Sequence, residues 1–529
     1  MTVEIEDGAL LGIEYETATG AVFRSWRGIP YAKPPVGELR FLPPQKPDPW
    51  DGVLNATVNG PACIFSYSYS GDPTPVSGNS EDCLTANVYA PELPSDDPSG
   101  YPVMFWIHGG GFASGTGDFN FFDPTPFLVE DVIVVTCNYR LGIFGFLSTE
   151  DSVLPGNGGL KDQLLALKWT KDNIAYFGGN PNSITIFGES AGAMSVGDHL
   201  VSPKTTGLYT AAILQSGNAL TYISSGTPRT NAYALAHSYN PSIISSSDSR
   251  EVIQVLQGIE ADTLRDAALS YSFGPLLEVE TNESFITDPR YELLASGAYN
   301  QVPIILGHNL EESWTFFPTL ALVEQVAASV DSDPSTMLPT MPLKDGVNKT
   351  EIGEKIHAAY VGENGSFSDD LAAVLNWKSD TYFVRSCYKD VILQSNFSTV
   401  YMYQLSFYGT SSQSRGRDLI SGAGDVGHAD DIPYLFNVST LPLQTEADFL
   451  TRRRMVKLWT NFAKYHNPIP DHETSDVLSG VTWDPVSPDD VQFLDIGDEL
   501  QMKPSRKVEL TAFWDNLWET YADHPYDSF

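Results

Sequence analysis

Short runs that are apolar at nearly every position recur along the chain. Runs of this length fit strands that are buried on both faces of a mostly parallel sheet. Between two of these runs, Leu160, Leu164 and Leu167 recur at helical spacing, and Gly178 follows as a stop signal. The alternation predicts an α/β fold with a large, mostly parallel central sheet flanked by helices. The strand-like runs are residues 103–107, 132–137, 184–187, 302–306 and 400–405.

The chain contains no internal repeat, low-complexity tract or linker that would divide it convincingly. The motifs described below are scattered from residue 81 to residue 436. We therefore predict one domain that spans residues 1–529, with residues 221–262 as the best candidate for an insertion.

The net charge of −37 over 529 residues excludes some partners. An acidic surface repels phosphate backbones and anionic lipid headgroups, so we expect neither nucleic-acid binding nor membrane association. No apolar run is long enough for a membrane helix, and residues 1–15 lack the basic and apolar regions of a signal peptide. These features are compatible with a secreted protein in its mature form, our preferred interpretation, or with a cytoplasmic protein.

Cysteines and glycosylation sequons bear on this choice. Cys63 and Cys83 would close a loop of about 20 residues if oxidised, with a stabilisation of roughly 3 kcal/mol. Cys137 and Cys387, in an apolar run and a predicted helix, are expected to be buried free thiols. Asn-X-Ser/Thr sequons, which would suit a secreted glycoprotein, occur at Asn55, Asn282, Asn348, Asn364, Asn396 and Asn437.

The pattern GxSxG occurs at residues 188–192, around Ser190. The bare pattern is weak, but here it follows the strand-like run 184–187 and precedes a helix-like stretch, as a nucleophile elbow requires. Flanking glycines let the backbone approach closely while the serine sits exposed at the N-terminus of a helix, whose dipole favours developing negative charge. The context predicts a serine nucleophile for acyl transfer.

A glycine-rich loop lies upstream of this serine. The run 103–107 leads into His108 and three consecutive glycines, so that backbone N–H groups can face a ligand. Together with the elbow, the loop predicts an oxyanion hole formed by the N–H groups of Gly110, Gly111 and Ala191. We expect His108 to make a local hydrogen bond rather than to act as a base.

At this point the chain resembles a known family. Residues 157–196 are similar to the type-B carboxylesterases, which include cholinesterases, bile-salt-activated lipases and fungal lipases and esterases. The likeness also covers residues 23–32, 81–84, 138–140 and 459–467. It implies the α/β-hydrolase fold and a serine carboxylic-ester hydrolase that needs no metal or cofactor.

The resemblance also implies the remaining catalytic residues. His428, in a glycine-flanked loop, matches the family's base, whereas His199, His466 and His524 match nothing.

Glu312 ends an acidic pair that matches the family's acid, with Glu311 as an adjacent alternative. The family usually has glycine where this chain has Ser313. The order Ser190, Glu312, His428 along the chain is that of α/β-hydrolases. If His428 has the pKa of an unperturbed imidazole, activity should fall as the pH drops through about 6 to 7.

Further structural expectations follow from the same resemblance. Arg40 with Glu81, and Arg140 with Asp162, correspond to ion pairs, and Cys63 with Cys83 to a disulfide. Glu189 would tune the field at the serine or serve structure alone. Residues 508–521 predict an amphipathic helix that either packs on its own chain or pairs two chains into a homodimer.

The loop between the two cysteines informs the substrate class. Residues 71–76 lack the tryptophan that faces the choline cation in cholinesterases, so choline esters are not expected. The loop is shorter than a lipase lid and contains Phe65, Tyr67 and Tyr69. We therefore predict small-molecule or lipid esters of short to medium acyl length as substrates, with a triacylglycerol lipase as the alternative and a non-catalytic, cholinesterase-like binding protein as a distant one.

Overall fold

The computed structural model describes residues 1–17, 20–65, 77–221, 226–412, 420–478, 480–505 and 507–529. A sheet of eleven strands runs through this part of the chain, accompanied by two small sheets. The strands are β1 (Thr2–Ile5), β2 (Gly8–Leu11), β3 (Ile13–Glu16), β4 (Val22–Pro30), β5 (Val53–Asn55), β6 (Ala62–Cys63), β7 (Asn79–Ser80), β8 (Thr85–Pro91), β9 (Tyr101–Ile107), β10 (Ile133–Cys137), β11 (Gly179–Glu189), β12 (Ala211–Gln215), β13 (Ile304–Asn309), β14 (Val400–Leu405), β15 (Gln492–Ile496) and β16 (Leu500–Pro504).

The large sheet has the order β16-β15-β14-β13-β12-β11-β9-β10-β8-β4-β3. The seven strands from β15 to β10 are parallel to their neighbours, and the flanking strands pair antiparallel. All five predicted runs lie in parallel strands of this sheet. The run that begins at residue 302 becomes a strand only from Ile304, because Pro303 has no N–H to donate to the ladder.

Helices cover both faces of the sheet. The predicted helix around Leu160 is α3, which ends at Asn173, and the proposed insertion contains α5 and α6. The helices are α1 (Thr125–Leu128), α2 (Gly142–Phe146), α3 (Gly158–Asn173), α4 (Ala191–Val201), α5 (Pro228–Tyr239), α6 (Ser249–Gln257), α7 (Ala261–Ala268), α8 (Arg290–Ser296), α9 (Leu320–Ser332), α10 (Lys349–Val361), α11 (Leu371–Ser379), α12 (Arg385–Gln394), α13 (Ile432–Leu435), α14 (Glu446–Tyr465) and α15 (Val508–Tyr521). Among the described residues, we find no helix with the length and apolarity that crossing a bilayer requires.

Two hydrophobic cores lie on opposite faces of the large sheet. In β9, Val103, Phe105 and Ile107 pack into one core, and Met104 and Trp106 pack into the other. Because successive side chains of a strand point to opposite faces, a strand buried on both faces must be apolar throughout. This explains the continuous apolar runs in the sequence.

The structure also contains the expected covalent and ionic links. Cys63 and Cys83 form a disulfide, and Cys137 and Cys387 are buried free thiols. Both expected ion pairs are present and largely buried, with N–O distances of 2.6 Å for Arg40 and Glu81 and 2.7 Å for Arg140 and Asp162.

Candidate active site

The site lies where neighbouring parallel strands end, the edge at which open α/β sheets bind ligands. Ser190 follows β11 directly and has the strained backbone angles φ 56° and ψ −126°. A Cβ on Gly188 would lie 2.5 Å from the carbonyl carbon of Gly192, and one on Gly192 would lie 2.0 Å from the carbonyl oxygen of Ile107. Only glycine fits at these two positions, so the turn has the sharp strand-to-helix geometry that a nucleophile elbow requires.

The glycine-rich loop that follows β9 packs against this elbow. A Cβ on Gly109 would lie 3.0 Å from the Cβ of Ser190 and 2.8 Å from the carbonyl oxygen of Glu189. Gly110 and Gly111 have φ values of 106° and 62°. Within the described part of the chain, the N–H groups of Gly110, Gly111 and Ala191 donate to no protein acceptor. These donors are therefore available to an oxygen bound beside Ser190.

The structure brings His428 and Glu312 together across 116 residues of sequence, with Nδ1 of His428 2.7 Å from Oε2 of Glu312. The other carboxylate oxygen, Oε1, accepts hydrogen bonds of 2.6 Å from Ser216 Oγ and from the Asn309 N–H. Burial raises the pKa of Glu312, but these hydrogen bonds and the His428 imidazole outweigh it and hold the pKa below its usual value. Glu312 is therefore a buried, ionised carboxylate.

The second imidazole nitrogen of His428, Nε2, faces the end of β11 and lies 3.2 Å from Oε1 of Glu189. Burial lowers the pKa of His428, but the carboxylates of Glu189 and Glu312 outweigh it and raise the pKa to about 9. This differs from the sequence expectation, which assumed an unperturbed imidazole. For Glu189 the sequence left open a tuning of the field at the serine or a purely structural role, and the structure places one of its carboxylate oxygens beside the histidine.

Two phenylalanines that the sequence analysis missed also pack against His428. Phe383 stacks on the imidazole with ring centroids 4.3 Å apart and planes 20° apart, and the Phe316 centroid lies 5.4 Å away. Phe383 belongs to a π-helical turn, Asp380–Val384, between α11 and α12. Such turns interrupt helices and are frequent at functional sites. No pattern in the sequence indicates this turn. The contact of Phe383 with His428 was also missed, because an aromatic residue in a helical stretch ordinarily indicates core packing.

Comparisons with known proteins decide the family. A model described as carboxylesterase family matches residues 1–514. The chain belongs to the carboxylesterase family. It is 35% identical over 497 residues to juvenile hormone esterase of Tribolium castaneum, an alignment that covers 88% of this chain and 83% of the relative. It is 33% identical to acylcarnitine hydrolase of Mus musculus over 94% of this chain and 87% of the relative.

A solved structure agrees with the fold. The crystal structure of juvenile hormone esterase from Manduca sexta with OTFP covalently attached superposes with a TM-score of 0.85 at 30% identity, and it covers 98% of this chain and 99% of the other. The predicted α/β-hydrolase fold and the resemblance to type-B carboxylesterases are confirmed. The chain is a carboxylic-ester hydrolase of the serine type.

The acidic neighbour of Glu312 has a different environment in this carboxylesterase. Glu311 accepts hydrogen bonds from Ser379 Oγ at 2.5 Å and from the Gly424 N–H at 3.3 Å, and burial raises its pKa to about 7. Ser313, where the family usually has glycine, donates from its Oγ to the Leu375 carbonyl oxygen at 2.9 Å. Both residues thus tie the loop to α11, and neither contacts His428.

The competing histidines occupy other environments. His108 stacks on Tyr139, and its Nδ1 lies 2.8 Å from the Gly109 carbonyl oxygen, the local contact that we expected. Burial lowers the pKa of His108 to about 4 and that of His199 to about 3. His466 ends α14 in a left-handed conformation, and His524 stacks on Tyr526 at the surface.

The remaining predictions concern the cysteine loop and metal binding. Phe65 is partly buried against the core, whereas Tyr67, Tyr69 and residues 71–76 lie outside the described residues. Within the described ranges, no group of histidine, cysteine and acidic side chains has a metal-binding arrangement.

Proposed function

We propose that Ser190 is the nucleophile of this esterase, His428 its general base and Glu312 the acid that orients the base. The single observation that carries the proposal is the short contact between Glu312 and Nδ1 of His428, on an imidazole whose other nitrogen lies beside Glu189, the residue before Ser190. Three side chains from distant segments would then form a Ser-His-Glu triad in the α/β-hydrolase order.

The proposed reaction has two acyl-transfer steps. Ser190 Oγ attacks the ester carbonyl while His428 Nε2 takes its proton, and the oxyanion is stabilised by the N–H groups of Gly110, Gly111 and Ala191. The tetrahedral intermediate expels the alcohol, which takes the proton from His428. Water then attacks the acyl-enzyme with His428 as its base, releasing the acid and restoring Ser190. The Glu189 carboxylate stabilises the imidazolium that forms in each step.

We propose soluble esters of short to medium acyl length as substrates. The loop that Cys63 and Cys83 close spans 20 residues of sequence, so a lid formed by it could uncover little apolar surface at an oil–water interface. The named relatives act as juvenile hormone esterase and acylcarnitine hydrolase, which supports an esterase over a triacylglycerol lipase.

We also propose that residues 1–529 act as one secreted domain. Strands from residue 13 to residue 504 share one sheet, which supports a single domain.

The Cys63–Cys83 disulfide supports an oxidising compartment, and five sequon asparagines are exposed: Asn55, Asn282, Asn348, Asn364 and Asn396. Trp514, Leu517 and Trp518 of α15 are buried on their own chain, which supports intramolecular packing of this helix over its use in a homodimer.

A panel of p-nitrophenyl esters of increasing acyl length tests this function. We expect the highest kcat/KM at short to medium chains, with rates that rise smoothly through the solubility limit. Ser190→Ala should abolish turnover, and Ser183→Ala, in the middle of β11, should retain it. A sharp increase where droplets form, with preference for long-chain triacylglycerols, would make the lipase alternative correct. Full turnover by Ser190→Ala would overturn the assignment of the nucleophile.

A further inference from the structure

The ammonium group of Lys378 is an unpaired cation in a strongly acidic protein. The chain has 67 acidic and 30 basic residues, so carboxylates are abundant. Within the described ranges, the Lys378 ammonium group nevertheless makes no ion pair and no hydrogen bond. Its Nζ lies instead 4.1 Å from the centroid of the Trp377 ring and 5.2 Å from that of Tyr382. Aromatic faces attract a cation but leave its hydrogen-bond donors unsatisfied.

Two buried cations of this protein have carboxylate partners, whereas buried Arg385 has none in the described part of the chain and packs on Trp514 and Trp518. Lys161 Nζ lies 2.6 Å from Glu278 Oε2, and Arg290 Nε lies 2.6 Å from Asp198 Oδ1. Burial without such a partner lowers the pKa of Lys378 to about 8. Removing a charge from water costs free energy unless an opposite charge compensates for it. An anion that arrives with a ligand would supply this compensation.

Lys378 lies at the outer end of a row of rings that begins at His428. The Phe316 centroid is 5.4 Å from that of His428, and the Tyr382 centroid is 5.6 Å from that of Phe316. Exposure increases along the row, from 6% at His428 through a half-buried Phe316 to 37% at Tyr382. The rings therefore form a wall that leads from the catalytic histidine to solvent.

The helical register brings Lys378 and Tyr382 together. They are four residues apart where α11 continues into the π-helical turn, a spacing that places side chains on the same face. The next residue of the turn, Phe383, stacks on His428. The same short segment thus packs against the base and carries a cation at its outer edge.

We propose that Phe316, Tyr382 and Lys378 form a subsite for ester substrates that carry an anionic group, such as a carboxylate or sulfate, at the end remote from the scissile carbonyl. An apolar spacer would pack on the two rings and bring the anion to the Lys378 ammonium. The inference rests on the proposed function, because it names a substrate class for the same active site.

Matched pairs of p-nitrophenyl esters test this subsite. Each pair is derived from a dicarboxylic acid of graded length and ends either in the free carboxylate or in the neutral carboxamide, so the two members share length and leaving group. The variants are Lys378→Met, Lys378→Arg and the control Lys168→Met. Lys168 is exposed on α3, so its substitution makes the same change in net charge away from the ring wall.

We expect wild type to favour the carboxylate over the carboxamide at the spacer lengths that reach Lys378, mainly through KM. Lys378→Met should reduce this ratio of kcat/KM values about tenfold, with little change for the carboxamide esters. Lys378→Arg and Lys168→Met should keep the ratio.

Two results would overturn the inference. A ratio that Lys378→Met leaves unchanged would show that the ammonium binds no substrate anion, and an equal loss for both members of a pair would show a structural role only. In either case, hydrolysis of the carboxamide esters by wild type leaves the proposed function standing. If wild type hydrolyses no ester at all, the proposed function fails, and this inference fails with it.

Discussion

The two halves of the active site are held together by different forces. In the nucleophile half, residues 107–111 and 188–192, positions are fixed by backbone packing: a single added Cβ at Gly192 would lie 2.0 Å from the Ile107 carbonyl oxygen. In the base half, formed by Glu312, His428 and the groups around them, positions are fixed by hydrogen bonds and ring stacking between distant segments.

This difference determines how each half responds to substitution. Backbone packing tolerates no extra atom, so the nucleophile half should fail by steric strain and lose stability together with activity. The base half depends on charge and proton position, so substitutions that preserve shape should alter rate or pH dependence while the fold remains. The predictions below test this contrast, beginning with the largest expected effect.

The largest effect is expected in the base half from Glu312→Gln. The amide preserves the shape of the carboxylate but stabilises the wrong imidazole tautomer, so kcat/KM should fall by roughly 10⁴-fold while the free energy of unfolding changes little by comparison. Steady-state kinetics and urea denaturation measure the two quantities. Glu311→Gln is the matched control and should cost less than about tenfold in rate, because the Glu311 carboxylate contacts Ser379 and Gly424 rather than the base. Greater damage from the control would assign the acid to Glu311.

In the nucleophile half, Gly192→Ala should destabilise the protein as well as inactivate it. The new methyl group would have to displace the end of β9 or the start of α4, at a cost of about 3 kcal/mol in the free energy of unfolding. Urea denaturation followed by circular dichroism measures this change. Gly258→Ala is the control, because its Cβ would meet nothing closer than 3.5 Å. Equal stability of the two variants would contradict the steric account of the elbow.

The pH dependence of kcat/KM should separate the electrostatic contribution of Glu189 from the steric role of its neighbours. His428 must be neutral to accept a proton, so activity should rise with pH toward the raised pKa of about 9. Glu189→Gln removes one of the negative charges that favour the imidazolium and should move this rise about one unit toward acid. A rise that stays at the same pH would mean that Glu189 does not act on the base.

The smallest effect is expected from Ser313→Gly, which restores the residue that is usual in the family. The substitution removes the hydrogen bond from Ser313 Oγ to the Leu375 carbonyl oxygen and should lower the free energy of unfolding by about 1 kcal/mol. The value of kcat/KM should stay within roughly threefold, because Ser313 does not contact His428. A large loss of rate at unchanged stability would place Ser313 in the catalytic machinery.

The same contrast explains what could be predicted from the sequence. The sharp turn at Ser190 could be predicted because its glycine pattern lies between a strand-like and a helix-like stretch. Strand β9 could be predicted because burial on both faces makes it apolar throughout. Glu312 and His428 could be proposed as acid and base only through resemblance to a family, since nothing local indicates that residues 116 positions apart meet.

Other features depend on side-chain positions that no local pattern encodes. The Glu189 carboxylate contacts His428 because the loop that carries His428 reaches the end of β11. The stacking of Phe383 depends on a π-helical turn, whose altered register has no sequence signature. The raised pKa of His428 follows from these long-range contacts, whereas the sequence expectation used the pKa of an unperturbed imidazole.

Covalent labelling by a fluorophosphonate ester tests the central claim most directly, namely that the two halves act on one serine. We predict one label per chain, located on Ser190 by peptide mapping. Labelling should be lost in Ser190→Ala and slowed by orders of magnitude in His428→Ala, because the nucleophile and base act as a unit. A label on another residue, or labelling of Ser190 at an unchanged rate in His428→Ala, would contradict the account.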